Sequence, residues 1–139
     1  MRDDTELLIR RKALEIYKRR LMSRALPCDK KVVEVTEKEF DEKLRRCNVV
    51  VADFWARWCV PCKFVSAIIE DLAKEFGGLM EFVKVDVDSN PKLAAEYGIM
   101  SIPTVIVFKD GSEVRRFVGY HPALRNQLRD VIRSLLEGQ

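Results

Sequence analysis

Residues 48 to 56, NVVVADFWA, form a nearly unbroken apolar run about as long as one strand. A strand with one wet face alternates apolar and polar residues. A run that is apolar at both parities fits a strand covered on both faces, so the chain needs layers on either side of a central sheet. Asp53 interrupts the run, six positions ahead of Cys59. A carboxylate in such a strand is costly, and burial raises its pKa toward neutrality. That makes Asp53 a candidate for proton exchange, against the plainer reading of a strand residue satisfied by backbone donors. Side-chain alternation points Asp53 to the same face as Trp55, beneath the start of the next helix. Lys84, next to Phe82 and Val83 in the following strand, is the nearest candidate counter-charge.

The elements around that strand follow from period and punctuation. KVVEV (31–35) reads as a short strand, and TEKEFDEKLRR as a helix with Thr36 as N-cap and Glu39 completing a capping box. After the apolar strand, CKFVSAIIEDLAKEF reads as a helix ending at Gly77-Gly78. MEFVKVDV is the next strand, and Pro91 opens a short helix over 91–97. TVIVFK, the turn Asp110-Gly111 and EVRRFVG form an antiparallel hairpin, and an amphipathic helix over 122–137 closes the chain. The order β-α-β-α-β-α-β-β-α predicts an α/β fold with a mixed central β-sheet flanked by helices.

Ahead of this body, residues 3 to 25 read as one more amphipathic helix, with Leu7, Leu14, Tyr17 and Leu21 near one face. Pro27 ends it, and PCDKK reads as a linker. The expected division is a basic helical extension with its linker over 1–30 and a domain over 31–139. Residues 1 to 31 hold ten Lys/Arg against five Asp/Glu, so the +3 net charge of the chain belongs to the extension. The extension is expected to pack on its own domain or on a second copy, giving self-association through the N-terminal helix. Nucleic acid is not an expected partner. No segment approaches the ~18 consecutive apolar residues of a membrane span. The N-terminus lacks the apolar core of a secretory signal, so the expected location is cytoplasmic.

The four cysteines decide the chemistry. A closed zinc site needs about four Cys or His ligands, and this chain has one CxxC, two scattered cysteines and a single His121, so no metal site is expected. A structural disulfide across four residues adds little chain-entropy stabilisation. A redox couple has a physical basis. The first thiol of the pair falls at a helix N-terminus, where unpaired backbone N–H groups and the helix dipole favour thiolate over thiol. Cys62 lies one turn further in and can attack a mixed disulfide on Cys59. Pro61 suits the first helical turn. Cys28 and Cys47 read either as one exposed thiol and one buried small hydrophobe or as a disulfide.

With VADFWARWCVPCK, VKVDVDSNPKLAAEYGI, SIPTVIVFKDG and FVG before the last helix, residues 31 to 138 resemble thioredoxin. The IPT segment, with its proline 41 positions after Cys62, and Gly119 add to the match. The resemblance implies a thioredoxin fold with an extra N-terminal helix. It implies Cys59 as attacking thiol, Cys62 as resolving thiol, and Asp53 as buried acid/base with Lys84 beside it. Pro103 would be a cis-proline facing the cysteines. Trp58, Val60, Pro61, Ile102, Pro103 and Gly119 would form the apolar rim where a substrate strand docks. Two positions depart from the family pattern: Val60 stands where glycine is usual, and Ala67 where a helix-kinking proline is usual, which predicts a straighter helix.

The expected function is a thiol–disulfide oxidoreductase, a protein-disulfide reductase cycling through Cys59 and Cys62. It would need no cofactor beyond the redox-active Cys59–Cys62 disulfide. The resemblance implies disulfide-containing protein substrates and a thioredoxin reductase that regenerates the dithiol. An oxidase or isomerase on the same fold is the first alternative, and a docking module whose N-terminal helix sets the partner is the second.

Overall fold

A computed structural model describes residues 7 to 16 and 28 to 138. Helix α1 covers 7–16 and exposes its apolar side chains, among them Leu7, Ile9 and Leu14. The start of the expected helix before residue 7, its continuation through Tyr17 and Leu21, and the stop at Pro27 lie outside the described residues.

The body runs β1 (Val33–Glu34), α2 (Glu37–Arg46), β2 (Val49–Trp55), α3 (Val60–Phe76), β3 (Glu81–Asp86), α4 (Pro91–Glu96), β4 (Thr104–Lys109), β5 (Ser112–Val118) and α5 (Leu124–Glu137). The five strands form one sheet in the order β1-β3-β2-β4-β5, parallel from β1 through β3 to β2 and antiparallel from β2 through β4 to β5. Strand β2 is central, as its apolar run requires, and all its residues but the half-buried Trp55 are buried.

Alternation divides β2 between two cores. Val49 and Val51 join Val65, Ile69 and Leu72 of α3 and Leu124, Leu128 and Ile132 of α5. Val50, Ala52 and Phe54 join Phe40 of α2, Leu93 of α4, and Ile106 and Phe108 of β4. In this second core the Phe40, Tyr97 and Phe108 rings meet edge-on at centroid distances of 5.3 to 5.6 Å, a favoured aromatic geometry. Asp53 has the parity of Val49 and Val51, so it faces α3.

The capping interaction of α2 forms as expected: the Glu39 carboxylate accepts from the Thr36 hydroxyl at 2.8 Å and from its backbone N–H at 3.3 Å. Strand β1 is shorter than the expected 31–35, because residues before Val33 turn toward the start of β2 and β3. Cys28 and Cys47 are buried and joined by a disulfide, so Cys28 is no exposed thiol. The Asp29 backbone N–H donates to the Glu81 carboxylate. The Lys43 ammonium lies 2.6 Å from Asp29 and 2.7 Å from Glu81, which compensates the buried Glu81 charge. Desolvation still holds the Glu81 pKa above its usual value, opposed by the bonds from Lys43 and Asp29.

Candidate active site

The turn from β2 to α3 places the cysteine pair. The Cys59 backbone N–H donates to Ala56 O at 3.2 Å, which turns the chain out of the strand. Cys59 is the N-cap of α3 with φ −89° and ψ 108°, and its Sγ accepts from the Cys62 backbone N–H at 3.2 Å. Pro61 occupies the first turn, where its missing N–H costs nothing. An N-cap sulfur that accepts a backbone N–H at the positive end of a 17-residue helix is placed to carry negative charge. Cys59 and Cys62 form a disulfide with a Cα–Cα distance of 5.4 Å, and both are nearly buried.

Asp53, on the face of β2 that α3 covers, is fully buried. It sits in register with Lys84 of β3 on one side and Val105 of β4 on the other. Burial pushes its pKa up to about 7, opposed by the Lys84 charge and a hydrogen bond from Ser66, with Glu34 adding a smaller push upward. The Ser66 hydroxyl donates to Asp53 Oδ2 at 3.4 Å, and Oδ1 has no partner. The Lys84 ammonium lies 4.3 Å from the centroid of the Trp55 ring, a cation–π contact that holds the ammonium against the indole.

The rim is built from two further segments. The Ile102–Pro103 peptide bond is cis, and Pro103 O accepts from the Gly119 N–H at 2.8 Å. Ile102 packs against the cysteine cluster together with Trp55 and Val87. Trp58 is 70% exposed and Val60 62%, two large apolar surfaces beside nearly buried sulfurs. The Trp58 indole N–H donates to Asp88 Oδ2 at 2.9 Å, which fixes the ring over a cleft of about 370 Å³ lined by Val87, Ile99, Met100, Ser101 and Ile102. A larger cleft of about 630 Å³ lies at the other end of the sheet, bordered by Asp41, Arg45, Asn48 and Asp110, and contains no free thiol.

Of the expected site residues, Lys84 borders one cavity with Cys59 and Cys62, Ile102 packs against the cysteine cluster, Asp53 is linked to that cavity through Ser66, and Gly119 is bonded to Pro103. Five others escape sequence reasoning. Asp88 orients Trp58, and Met100, 96% exposed, extends the cleft. Phe64 and Tyr120 pair at 5.3 Å beyond Gly119. Their signal is weak, since an isolated exposed aromatic or Met is common. Ser66 is the fifth, and its i+4 spacing from Cys62 is the available clue. Among the described residues no group of three or more His, Cys, Asp or Glu is placed to hold a metal ion, and no helix is long and apolar enough to cross a membrane.

A sulfur at a helix N-terminus, a second sulfur one turn further along and a buried carboxyl with its pKa raised to about 7, joined to their cavity through Ser66, can carry out thiol–disulfide exchange, with the disulfide itself as the active group. Residues 31–134 match the family model for thioredoxin. The chain is 48% identical over 91 residues to a Staphylococcus epidermidis thioredoxin, covering 66% of this chain and 86% of that protein. A Staphylococcus aureus thioredoxin shows the same identity and coverage. Among solved structures, a mutant thioredoxin from Halobacterium salinarum superimposes with a TM-score of 0.70 at 34% identity, covering 77% of this chain and 92% of that one. Reduced Schistosoma mansoni thioredoxin gives a TM-score of 0.66 at 31% identity, covering 75% and 97%. Fold, disulfide geometry and sequence agree, and the chain belongs to the thioredoxin family of protein-disulfide oxidoreductases.

Proposed function

We propose that this chain works as a cytoplasmic protein-disulfide reductase in which Cys59 attacks, Cys62 resolves and Asp53 exchanges the proton of Cys62. The observation that carries this reading is the hydrogen bond from the Cys62 N–H to Cys59 Sγ at the start of α3. In the reduced protein the Cys59 thiolate attacks one sulfur of a target disulfide. A Cys59–target bond forms and the first target thiolate leaves. The Cys62 thiolate then attacks Cys59 Sγ, forming Cys59–Cys62 and releasing the second target thiolate. Two electrons and two protons pass to the target. Membership in the family implies disulfide-containing protein substrates and a thioredoxin reductase that restores the dithiol.

The rim residues Trp58, Val60, Pro61, Ile102, Pro103 and Gly119 take the substrate as an extended strand against the Ile102 backbone. Lys84 tempers the Asp53 carboxyl. Residues 1–30 act as a separate extension that associates with a second copy through its helix, which the exposed Leu7, Ile9 and Leu14 support.

Insulin-disulfide reduction tests the assignment. Cys59→Ser is expected to abolish turnover, and Cys62→Ser to stall with substrate covalently held on Cys59. Full activity in both variants would overturn it. The equilibrium potential of the pair against glutathione separates a reductase from an oxidase: a value of about −270 mV supports reduction, and one of about −120 mV supports oxidation.

A further inference from the structure

Asp53 is fully buried, whereas the cavity of about 250 Å³ beside the cysteine pair is lined by Cys62, Ser66, Lys84, Lys63, Arg57 and others. A group that touches both the cavity and the carboxylate can pass a proton between Cys62 and Asp53. Ser66 borders the cavity, and its hydroxyl donates to Asp53 Oδ2. It follows Cys62 by four residues on α3, so the two share a helix face. A hydroxyl donates and accepts at once, so it can hand on a proton with no net change of its own. The cavity volume compares with about 30 Å³ per molecule in liquid water, which leaves room for water between Cys62 and Ser66.

We propose that Ser66 is a positioning residue for the resolving step, holding the Asp53 carboxylate toward the cavity and linking it to Cys62. This rests on Asp53 being the proton acceptor. The Cys62 proton crosses the cavity to Ser66 Oγ as the Ser66 proton passes to Asp53 Oδ2. Cys62 becomes thiolate, Asp53 becomes a neutral carboxyl and Ser66 is unchanged. The Cys62 thiolate attacks Cys59 Sγ, the Cys59–target bond breaks, and the target leaves with the electron pair and takes a proton from solvent. The Asp53 proton returns to solvent by the same path. The charges acting on Asp53 are Lys84 on β3 and Glu34 on β1. Strand β4 opposes it with the apolar Val105, α3 brings Ser66 and Cys62, and Lys63 and Arg57 lie on the cavity wall.

The test compares Ser66→Ala, Ser66→Thr, Asp53→Asn and the double variant Asp53→Asn/Ser66→Ala. Rapid mixing follows resolution of the mixed disulfide across pH 5 to 9, and carboxyl infrared spectroscopy follows Asp53. Ser66→Ala is expected to slow resolution roughly 3- to 10-fold at pH 7, a modest share of a general acid–base contribution. It should also move the Asp53 midpoint upward, since the ionised form loses a donor. Ser66→Thr should restore both, and Ser66→Ala should add nothing in the Asp53→Asn background. An unchanged rate and midpoint in Ser66→Ala would overturn the proposal, as would an equal slowing with Asp53 absent. If Asp53→Asn itself leaves resolution and its pH profile intact, the Asp53 assignment falls and takes this inference with it. If Asp53→Asn slows resolution and Ser66→Ala does not, only the Ser66 role fails.

Discussion

Asp53 links the pH dependence of stability to that of catalysis. Its ordinary pKa of 3.8 rises to about 7 in the fold, chiefly through burial. Between those values the folded chain binds a proton that the unfolded chain has released, so this group's contribution to stability falls as pH rises through the window. Asp53→Asn removes the penalty. Urea unfolding should find that variant more stable than the parent by about 2–4 kcal/mol at pH 8, since each tenfold change in a proton-binding equilibrium is worth ~1.4 kcal/mol, with the gap closing near pH 4. A gap that is the same at both pH values would refute the linkage. Gly77 carries a different kind of constraint. A Cβ there would run into the carbonyl oxygens of Lys30 and Ala73, both backbone, so nothing flexible can yield. Gly77→Ala is expected to cost about 1–3 kcal/mol, read as a lower denaturation midpoint. The cysteines, Asp53 and Lys84 are legible in the sequence because each breaks a local pattern. Ser66 is not, since a serine within a helix usually faces solvent and its partner Asp53 lies 13 residues away.

Elements are legible where periodicity is long. Strand β2 and helices α2, α3 and α5 appear where the apolar spacing puts them, and α3 runs unbroken from Val60 to Phe76 across Ala67. Ends are less legible, because tertiary contacts set them. The ladder of β1 covers only Val33–Glu34, since the chain before it is drawn to the start of β2 and β3 by Cys47, Glu81 and Gly78. Sequence leaves Cys28 and Cys47 undecided because the pairing depends on where that segment docks. Their disulfide ties residues 19 apart in sequence. A loop of this size removes about 3 kcal/mol of unfolded-chain entropy. The double variant Cys28→Ala/Cys47→Ala should lose about that much in equilibrium unfolding while keeping the Cys59–Cys62 pair active. A loss of activity matching the loss of stability would show that this disulfide also serves the active site.

At the scale of the whole molecule, the anchor of the extension and the active site belong to opposite ends of the sheet. Strand β2 begins two residues after Cys47 and ends four before Cys59. At ~3.3 Å per residue, its seven residues separate the two disulfides by roughly 20 Å. Residues 28–30 are held at the far end by the Cys28–Cys47 bond, the Asp29 contact with Glu81 and the Gly78 N–H to Asp29 O at 3.2 Å. The described chain thus enters the body at the end of the sheet away from the Cys59–Cys62 pair. Removing residues 1–27 keeps this anchor, so insulin reduction per domain should stay within about twofold of the full chain, well under the roughly tenfold that ~1.4 kcal/mol of barrier represents. The same pair of proteins compared by sedimentation tests self-association: the full chain should exceed monomer mass at tens of micromolar and the shortened chain should not. Equal masses would exclude self-association through α1. A large fall in turnover would show that residues 1–27 contribute to the reaction itself.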